Sequence, residues 1–589
     1  MTTRKDIAEA IFPEVKEGIA DLQKKYPARK NETHLPDGQV CSRVAPSPTG
    51  FLHLGVLFAS FVPFKFVHQN NGTFILRIED TDQKRSIEWG VDQIIDLLKF
   101  FGIEIDEGPL KSKVIKSKVE GQPDEVEYED VGDYWPYIQS QRKYLYQVFV
   151  KELIANGKAY PCRMTEAEMD AIREQQMKTK VTPGIYGNYS VRRNKDLDEI
   201  MAKMKEDKNF IIRFRSHGDI TKRIVFEDVI RGKLNMIDNY NDVVLIKWDG
   251  LPTYHMAHIV DDHLMRVSHV IRAEERLMSV PLHLQLFEAC GLTPPKYCHV
   301  AQLLKLEDGK KRKLSKRKDP EANVEFFFER GVPTHGIIDY ILTMVDPFFE
   351  EWQKTNPEKD YHDYTITLEK MSKSGALFDL TKLDSVSNAY LSRISTDKLY
   401  DETLIWAKKY DSELTMLLES DHLYAKAAMN IERHTPKDPK RFTTFVDVDS
   451  QIRFFFDAEW EKLRSNVWRV TSNEKKTAEL VTSNWSTFPA NLTLDVVSKF
   501  IREYIEVLDL ELTQEAWFEQ LKQIGKKHGF VPKSRENAEF KEWGYIGKVG
   551  DLAMLLRLQL CCTARTPDLF SVMKVMGKER VISRLKKLI

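Results

Sequence analysis

No run of about 18 apolar residues occurs in the 589-residue sequence, so no transmembrane helix is expected. The opening stretch, MTTRKDIAEAIFPEVKEGIADLQKKYPARK, lacks the apolar core of a secretion signal. It also carries several acids, which argues against a mitochondrial transit peptide. A cytoplasmic protein without a membrane partner is expected. Cysteine is sparse: Cys41, Cys162, Cys290, Cys298, Cys561 and Cys562, none in a C-x₂₋₄-C pair. A chain of this length needs no disulfide staples. Cys162 stands alone in its region, so free thiols and no zinc site are expected. No G-x₄-GK[ST] loop is present, which disfavours a P-loop NTPase. Net charge is nearly absent as well, −1 at pH 7. That lowers the expectation of nonspecific nucleic-acid binding and leaves only a local basic face. Repeats and low-complexity tracts are missing too.

What is present is 42% hydrophobic and 30% charged, ordinary for a folded chain. The length allows roughly three to five domains. Ile7, Ile11, Phe12, Val15, Ile19 and Leu22 recur at helical spacing and predict an amphipathic appendix packed on the body. Over 39–105 the order is strand (QVCSRVAP), turn-rich loop, apolar helix, Asn71-Gly72 turn, strand (TFILRIED) and helix. This is the βαβ order of a parallel sheet. Residues 111–133 are charged and irregular and read as a surface loop or insertion. Helices return at 139–157 and strands at 209–250. A βα pattern resumes at 252, and long amphipathic helices dominate from about 320.

Four segments carry chemistry. In 46-PSPTGFLHLGV-56 a strand ends near Val44 and a helix begins near Leu54. Such a helix start offers free N–H groups to an anion. His53 can donate to a phosphoryl oxygen, and Gly55 permits close approach to the backbone. The second segment, 77-RIEDTD-82, puts charge at the end of an apolar strand, where parallel sheets face ligands. In the third, an apolar strand from Val267 to Ile271 runs into Arg272, Glu274 and Glu275. An arginine so placed can grip a carboxylate with two N–H groups. The fourth, 308-DGKKRKLSKRKD-319, lies in a run with eight Lys or Arg between Lys305 and Lys318. It has the composition of a mobile loop that closes on polyphosphate.

In this order and spacing the four segments resemble glutamyl-tRNA synthetases of bacterial type, a class I aminoacyl-tRNA synthetase family. YIQSQR at 137–142 and KAYPC at 158–162 resemble the family's acceptor-side region, and GKVGDLAMLLRL and TPDLFSVMKVMGKERVISRL its last helices. The resemblance is strong over roughly 40–400 and continuous to the end. It implies an α/β then all-α architecture. A doubly wound parallel (Rossmann-like) sheet at 39–110 and 252–305 would be split by an acceptor-stem insertion at 111–251. A helical extension (1–38) would precede it. A mobile basic loop with stem-contact helices (306–395) and an all-helical anticodon-binding domain (396–589) would follow.

The implied reaction has two steps. The α-carboxylate of glutamate attacks the α-phosphate of ATP, and pyrophosphate leaves. A ribose hydroxyl at the 3′-terminal adenosine of tRNA(Glu) then attacks the acyl group. Mg2+ would accompany ATP. His53, Gly55 and Lys316 carry the catalytic roles by this resemblance. Thr49, Leu303, Leu304, Lys313 and Ser315 complete the ATP contacts. Arg43, Ala45, Ser47, Glu79, Tyr254, His258 and Arg272 match the glutamate pocket, with the two arginines on the side-chain carboxylate and Glu79 on the ammonium. Two positions depart from the family pattern: Val56 follows H-L-G, and His258 stands where the family often has Asn. A histidine there predicts a glutamate affinity that changes between about pH 6 and 7.5.

Two sequences compete for the phosphate loop, 313-KLSKR-317 and 370-KMSKS-374. The first follows a strand, an Asp-Gly turn and a dense basic run. The second leads at once into GALFDLTKLDSVSNAYL, read as amphipathic helix through Leu377, Phe378, Leu380 and Leu383. Lys316 is therefore expected to handle ATP, and Lys373 at most a tRNA backbone. Arg433, Lys437, Lys440, Arg441 and Phe442 are candidates for RNA contact. The alternatives are a glutaminyl-tRNA synthetase, a tRNA-modifying paralogue and a noncatalytic tRNA-binding adaptor. The RIED motif with Arg272, the long C-terminal helical part, and the survival of His53, Gly55 and Lys316 argue against each in turn.

Overall fold

Cys41–Val44 is a strand buried at all four positions, and Thr73–Leu76 repeats that pattern. Burial on both faces belongs to parallel sheets covered by helices. The two strands pair in parallel, Cys41 opposite Thr73 and Val44 opposite Leu76. The helix Leu54–Gln69 crosses between them. A second parallel pair joins His269–Ala273 to Lys296–Val300 through the helix Val280–Ala289. It lies beside the first: the Ser268 N–H donates to the Cys41 carbonyl at 3.0 Å and the Ser42 hydroxyl to the His269 carbonyl at 2.7 Å. The computed structural model describes residues 1–29, 40–48, 54–85, 87, 89–115, 125–206, 210–315, 318–435, 440–467, 492–531 and 546–589. These form two compact units, Met1–Phe326 with Ile338–Asp379, and Phe327–Ile337 with Leu380–Ile589.

The N-terminal appendix forms as its periodicity predicts. Helices Arg4–Ile11 and Ile19–Lys25 bury Ile7 and Leu22, the intervening turn buries Phe12 and Val15, and Ile11 is half-buried. Thr3 and Asp6 close a capping box at the first helix. Lys151, on the helix Lys143–Ala155, donates to the Phe12 and Val15 carbonyls at 3.2 and 2.6 Å and holds the appendix down.

Four local expectations are corrected. The charged 111–133 stretch is largely an antiparallel hairpin, Gly108–Ile115 with Glu125–Val131. Its register sets Lys111 opposite Glu129 and Lys113 opposite Glu127. The strand carrying Arg272 runs His269–Ala273, because the Val267 N–H is spent on the Asp262 carbonyl in ending the preceding helix. The first part of the basic run, Lys310–Lys313, is a strand against Leu303–Glu307. Asp308 and Gly309 both have positive φ, 49° and 74°, as a two-residue type I′ hairpin requires. Finally, Ala376–Leu377 is a short strand beside Leu303–Leu304, so the helix after KMSKS starts only at Leu380.

The second unit is helical from Leu380–Arg393 to Lys578–Lys586, but not wholly so. Phe530–Val531 and Gly547–Lys548 make a two-residue parallel pair. Within it Arg433 is buried and donates to the Leu391 and Ile394 carbonyls at 2.8 and 2.5 Å. Arg441 donates to the Ile431 carbonyl at 2.8 Å, and Phe442 is buried. These three candidates for RNA contact are thus committed to the fold. Lys440 is exposed, and Lys437 lies outside the described residues. All six cysteines are free. Among the described residues no helix is long and apolar enough to cross a membrane.

Candidate active site

The parallel strands end at a cavity of about 740 Å³. Arg43, Val44 and Ala45 reach it from the end of the first strand, and Glu79 from just beyond the second. Arg272 comes from His269–Ala273, and Gly55 from the start of the crossover helix. Ligands bind at this edge of open parallel sheets because helix starts and loops converge there. Tyr254, Leu303, Lys313 and Ser315 complete the predicted residues on the wall.

Three predicted residues are elsewhere. Ser47 is exposed and off the wall: the carbonyls of Pro46 and Pro48 accept from the Glu79 and Ile87 N–H groups, which fixes the segment with Ser47 turned outward. Leu304 points away because strand side chains alternate; Leu303 meets the cavity, whereas Leu304 packs on Gly375 beside KMSKS. His258 is fully buried. Its helix, Tyr254–Leu264, starts at the cavity, and one turn carries a side chain about 5 Å deeper. Thr49, His53 and Lys316 lie outside the described residues.

His258 packs between the Tyr254 ring and Asp262, its Nδ1 3.0 Å from the Asp262 carboxylate. Its Nε2 lies 3.2 Å from the Tyr297 hydroxyl. Burial, followed by the charges of Arg272, Arg43 and Arg77, pushes its pKa well below the ordinary value. The imidazole therefore stays neutral between pH 6 and 7.5, and the expected titration in that window is withdrawn. Glutamate KM is expected to stay flat from pH 6 to 7.5. A several-fold change following a single protonation would show instead that this ring titrates.

Arg272 is the most fully constrained group on the wall. Its Nε donates to His299 Nε2 at 2.9 Å, Nη1 to the Tyr254 hydroxyl at 3.0 Å and Nη2 to the Arg276 carbonyl at 3.2 Å. A guanidinium has five N–H donors, so two remain, one on each terminal nitrogen. Arg43 lines the same cavity and is held from behind, its Nε donating to Asp262 at 3.1 Å. Asp262 also accepts from the buried Arg77 at 2.6 Å. Arg77 Nη2 in turn lies 3.5 Å from Glu79. Burial raises the Glu79 pKa, with Arg77, Arg43 and Arg276 pulling the other way. A cation entering beside Glu79 would favour its charged form.

The basic hairpin is less free than its composition implied. Arg312 grips Asp319 through both terminal nitrogens at 2.6 and 2.7 Å, and Lys305 reaches the same carboxylate at 3.1 Å. The Ser315 N–H donates to Asp319 at 2.8 Å, so this acid shapes the start of KLSKR. Lys313 pairs with Glu275 at the cavity wall. In KMSKS, the Ser372 N–H is tied to the Val345 carbonyl at 2.9 Å, Met371 is buried, and Lys373 is exposed and off the wall. Sequence reasoning missed Arg276, whose guanidinium stacks 4.4 Å from the Tyr254 ring centre, and Gln302. The charge-dense RAEER run contained the signal for Arg276. Nothing local marked Gln302.

A family model described as tRNA synthetases class I (E and Q), catalytic domain, matches residues 39–385, and an anticodon binding domain matches 541–589. A glutamate–tRNA ligase of Clostridium perfringens is 40% identical over 582 residues, 99% of each chain. One from Acetivibrio thermocellus is 37% identical over 586 residues, 99% of this chain and 100% of its own. A crystal structure of the glutamate tRNA ligase of Elizabethkingia meningosepticum, in complex with its amino acid, superposes with a TM-score of 0.67 at 26% identity, covering 93% of this chain and 99% of that one. The chain therefore belongs to the class I tRNA synthetases for glutamate and glutamine, with a Rossmann-like catalytic domain followed by a mostly helical anticodon-binding region. Within that class it is a glutamate–tRNA ligase of bacterial type.

Proposed function

We propose that the cavity activates L-glutamate with ATP and passes the acyl group to tRNA(Glu). The supporting observation is Arg272: three of its donors are spent on the protein and two remain, on a wall it shares with Arg43. Two guanidinium groups suit the side-chain carboxylate of glutamate. The neutral amide of glutamine would leave a partly desolvated arginine poorly paired, which separates this reading from a glutaminyl enzyme. Glu79 takes the substrate ammonium, and Tyr254 and Ala45 border the chain between. Gly55 at the helix start, with His53 and Thr49, receives the triphosphate. Leu303, Lys313, Ser315 and Lys316 close from the other side.

The first step needs alignment and charge stabilisation rather than proton transfer. The α-carboxylate attacks the α-phosphorus, and the bond to pyrophosphate breaks. Lys313 would exchange Glu275 for phosphate as ATP enters. Mg2+ arriving with ATP would offset charge on the departing pyrophosphate. Among the described wall residues the carboxylates are Glu79 and Glu275. For the second step, the 111–251 insertion receives the acceptor stem, 306–395 contacts the stem, and 396–589 reads the anticodon.

Glutamate-dependent ATP–pyrophosphate exchange, with and without total tRNA, tests this reading. Lys316→Ala is expected to lose exchange by about 10²-fold or more, the scale of removing one preorganised electrostatic group. Lys373→Ala is expected to retain it. The reverse result would move the phosphate loop to KMSKS. Exchange supported by glutamine in place of glutamate would overturn the assignment of Arg43 and Arg272.

A further inference from the structure

Two of the contacts that orient Arg272 are with residues of the cavity wall, and the third runs away from it. His299 is fully buried and is not on the wall. It stands opposite Arg272 in the parallel register of Lys296–Val300 with His269–Ala273, so the sheet itself sets the two side by side. Its Nε2 accepts from Arg272 Nε at 2.9 Å, which requires the imidazole proton on Nδ1. Nδ1 lies 2.6 Å from Asp228 Oδ2. Asp228 is itself fully buried and does not depend on the imidazole for its position. Its Oδ1 accepts from the Ile230 and Arg231 N–H groups at 3.1 and 2.9 Å, and its Oδ2 from the His299 N–H at 3.1 Å. Burial keeps His299 below its ordinary pKa despite the pull of Asp228, so the ring is neutral.

We propose that Asp228 and His299 are a positioning pair for glutamate recognition. The carboxylate holds the proton on His299 Nδ1, and the Nε2 lone pair then fixes the plane of Arg272 so that its two remaining N–H groups meet the substrate carboxylate. Neither residue touches substrate. The inference rests on the reading of Arg272 as the carboxylate grip. An amide at position 228 would reverse the arrangement. With its carbonyl kept on the Ile230 and Arg231 N–H groups, the Asn side chain would turn its NH₂ towards Nδ1. The imidazole proton would move to Nε2, and N–H would face N–H at Arg272.

The test measures glutamate KM, ATP KM, kcat and Tm for the unmodified enzyme, Asp228→Asn, His299→Gln, the double variant and Arg272→Lys. Asp228→Asn is expected to raise glutamate KM about ten-fold, with ATP KM and kcat nearly unchanged. His299→Gln offers its own carbonyl to Arg272 and needs no tautomer, so its glutamate KM rises less. Adding Asp228→Asn to it is expected to change glutamate KM no further. Effects that multiply in the double variant would overturn the proposal. So would losses shared equally by kcat and ATP KM, or a lowered Tm alone. If Asp228→Asn does not accumulate as folded protein, His299→Leu takes its place: Leu raises glutamate KM, and Gln at the same position largely restores it. Equal glutamate KM for the Leu and Gln variants would overturn the pair. An Arg272→Lys enzyme with normal glutamate KM would remove the carboxylate grip itself. A raised KM there, with Asp228→Asn silent, would remove only the pair.

Discussion

Arg272→Ala is expected to raise glutamate KM by on the order of 10²-fold or more while leaving ATP KM within a few-fold. Truncating one member of a buried, hydrogen-bonded charge pair costs about 2–5 kcal/mol, and each 1.4 kcal/mol is about ten-fold. Here the loss has two parts. The substrate carboxylate would lose a bidentate partner in a partly desolvated site. The Tyr254 hydroxyl, His299 Nε2 and the Arg276 carbonyl would also lose the donor each now has. Lysine restores the charge but not the planar fork, so Arg272→Lys should recover only part of the effect. Arg276→Ala should cost much less, since that side chain stacks on Tyr254 while its carbonyl remains. Steady-state aminoacylation over a range of glutamate checks all three. An unchanged KM for Arg272→Ala would end the carboxylate assignment.

Asp262→Asn is expected to lower the stability of the enzyme by roughly 3 kcal/mol, the low end of the cost of depriving a buried charge of its nearest counter-ion. Asp262 is fully buried and takes Arg43 at 3.1 Å and Arg77 at 2.6 Å on the same oxygen. Its neighbour Asp261 is committed to Arg142, Gln139 and Tyr146 at 2.7–2.9 Å and stands farther from Arg77, at 3.8 Å, so it compensates only in part. Burial raises the Asp262 pKa, but Arg43 and Arg77 outweigh it and hold the carboxyl below its ordinary value. The sign of the pH dependence follows. A depressed carboxyl contributes its full stability above the unfolded pKa of about 3.9 and loses it as pH falls through the folded value. Thermal unfolding should therefore show a constant deficit in the variant above about pH 5, shrinking in more acid solution as the unmodified protein loses the same contribution. A deficit that does not change with pH would show that packing, not charge, dominates at this position.

Much of this was legible in the sequence because the signals were local. The Leu54–Gln69 helix lies between two short strands buried at every position, and the motif residues fall at the strand ends where a parallel sheet presents them. Asp308-Gly309 was equally local, yet the lysines around it suggested a loop. Its two-residue spacing and the turn's positive φ values mark a hairpin instead. Distinguishing KLSKR from KMSKS in the sequence depended on context. KMSKS leads into a strand that backs Leu303–Leu304 from outside the cavity, so it lies beside the basic hairpin without facing the cavity.

His258 shows the limit. From the sequence alone it was a pocket residue with a physiological titration; the helix carries it one turn below the wall, where burial removes its charge. Arg433, Arg441 and Phe442 read as an RNA-facing cluster and are instead structural, because backbone carbonyls from distant turns converge on the two guanidinium groups. By itself the sequence determined the family, the order of strands and helices, and the residue types at the site, all of which follow from periodicity and short motifs. Only the tertiary structure decided which of those side chains face the cavity and which stand behind it. Asp228 and His299, 71 positions apart, meet through the pairing of non-adjacent strands, and no local pattern encodes that contact.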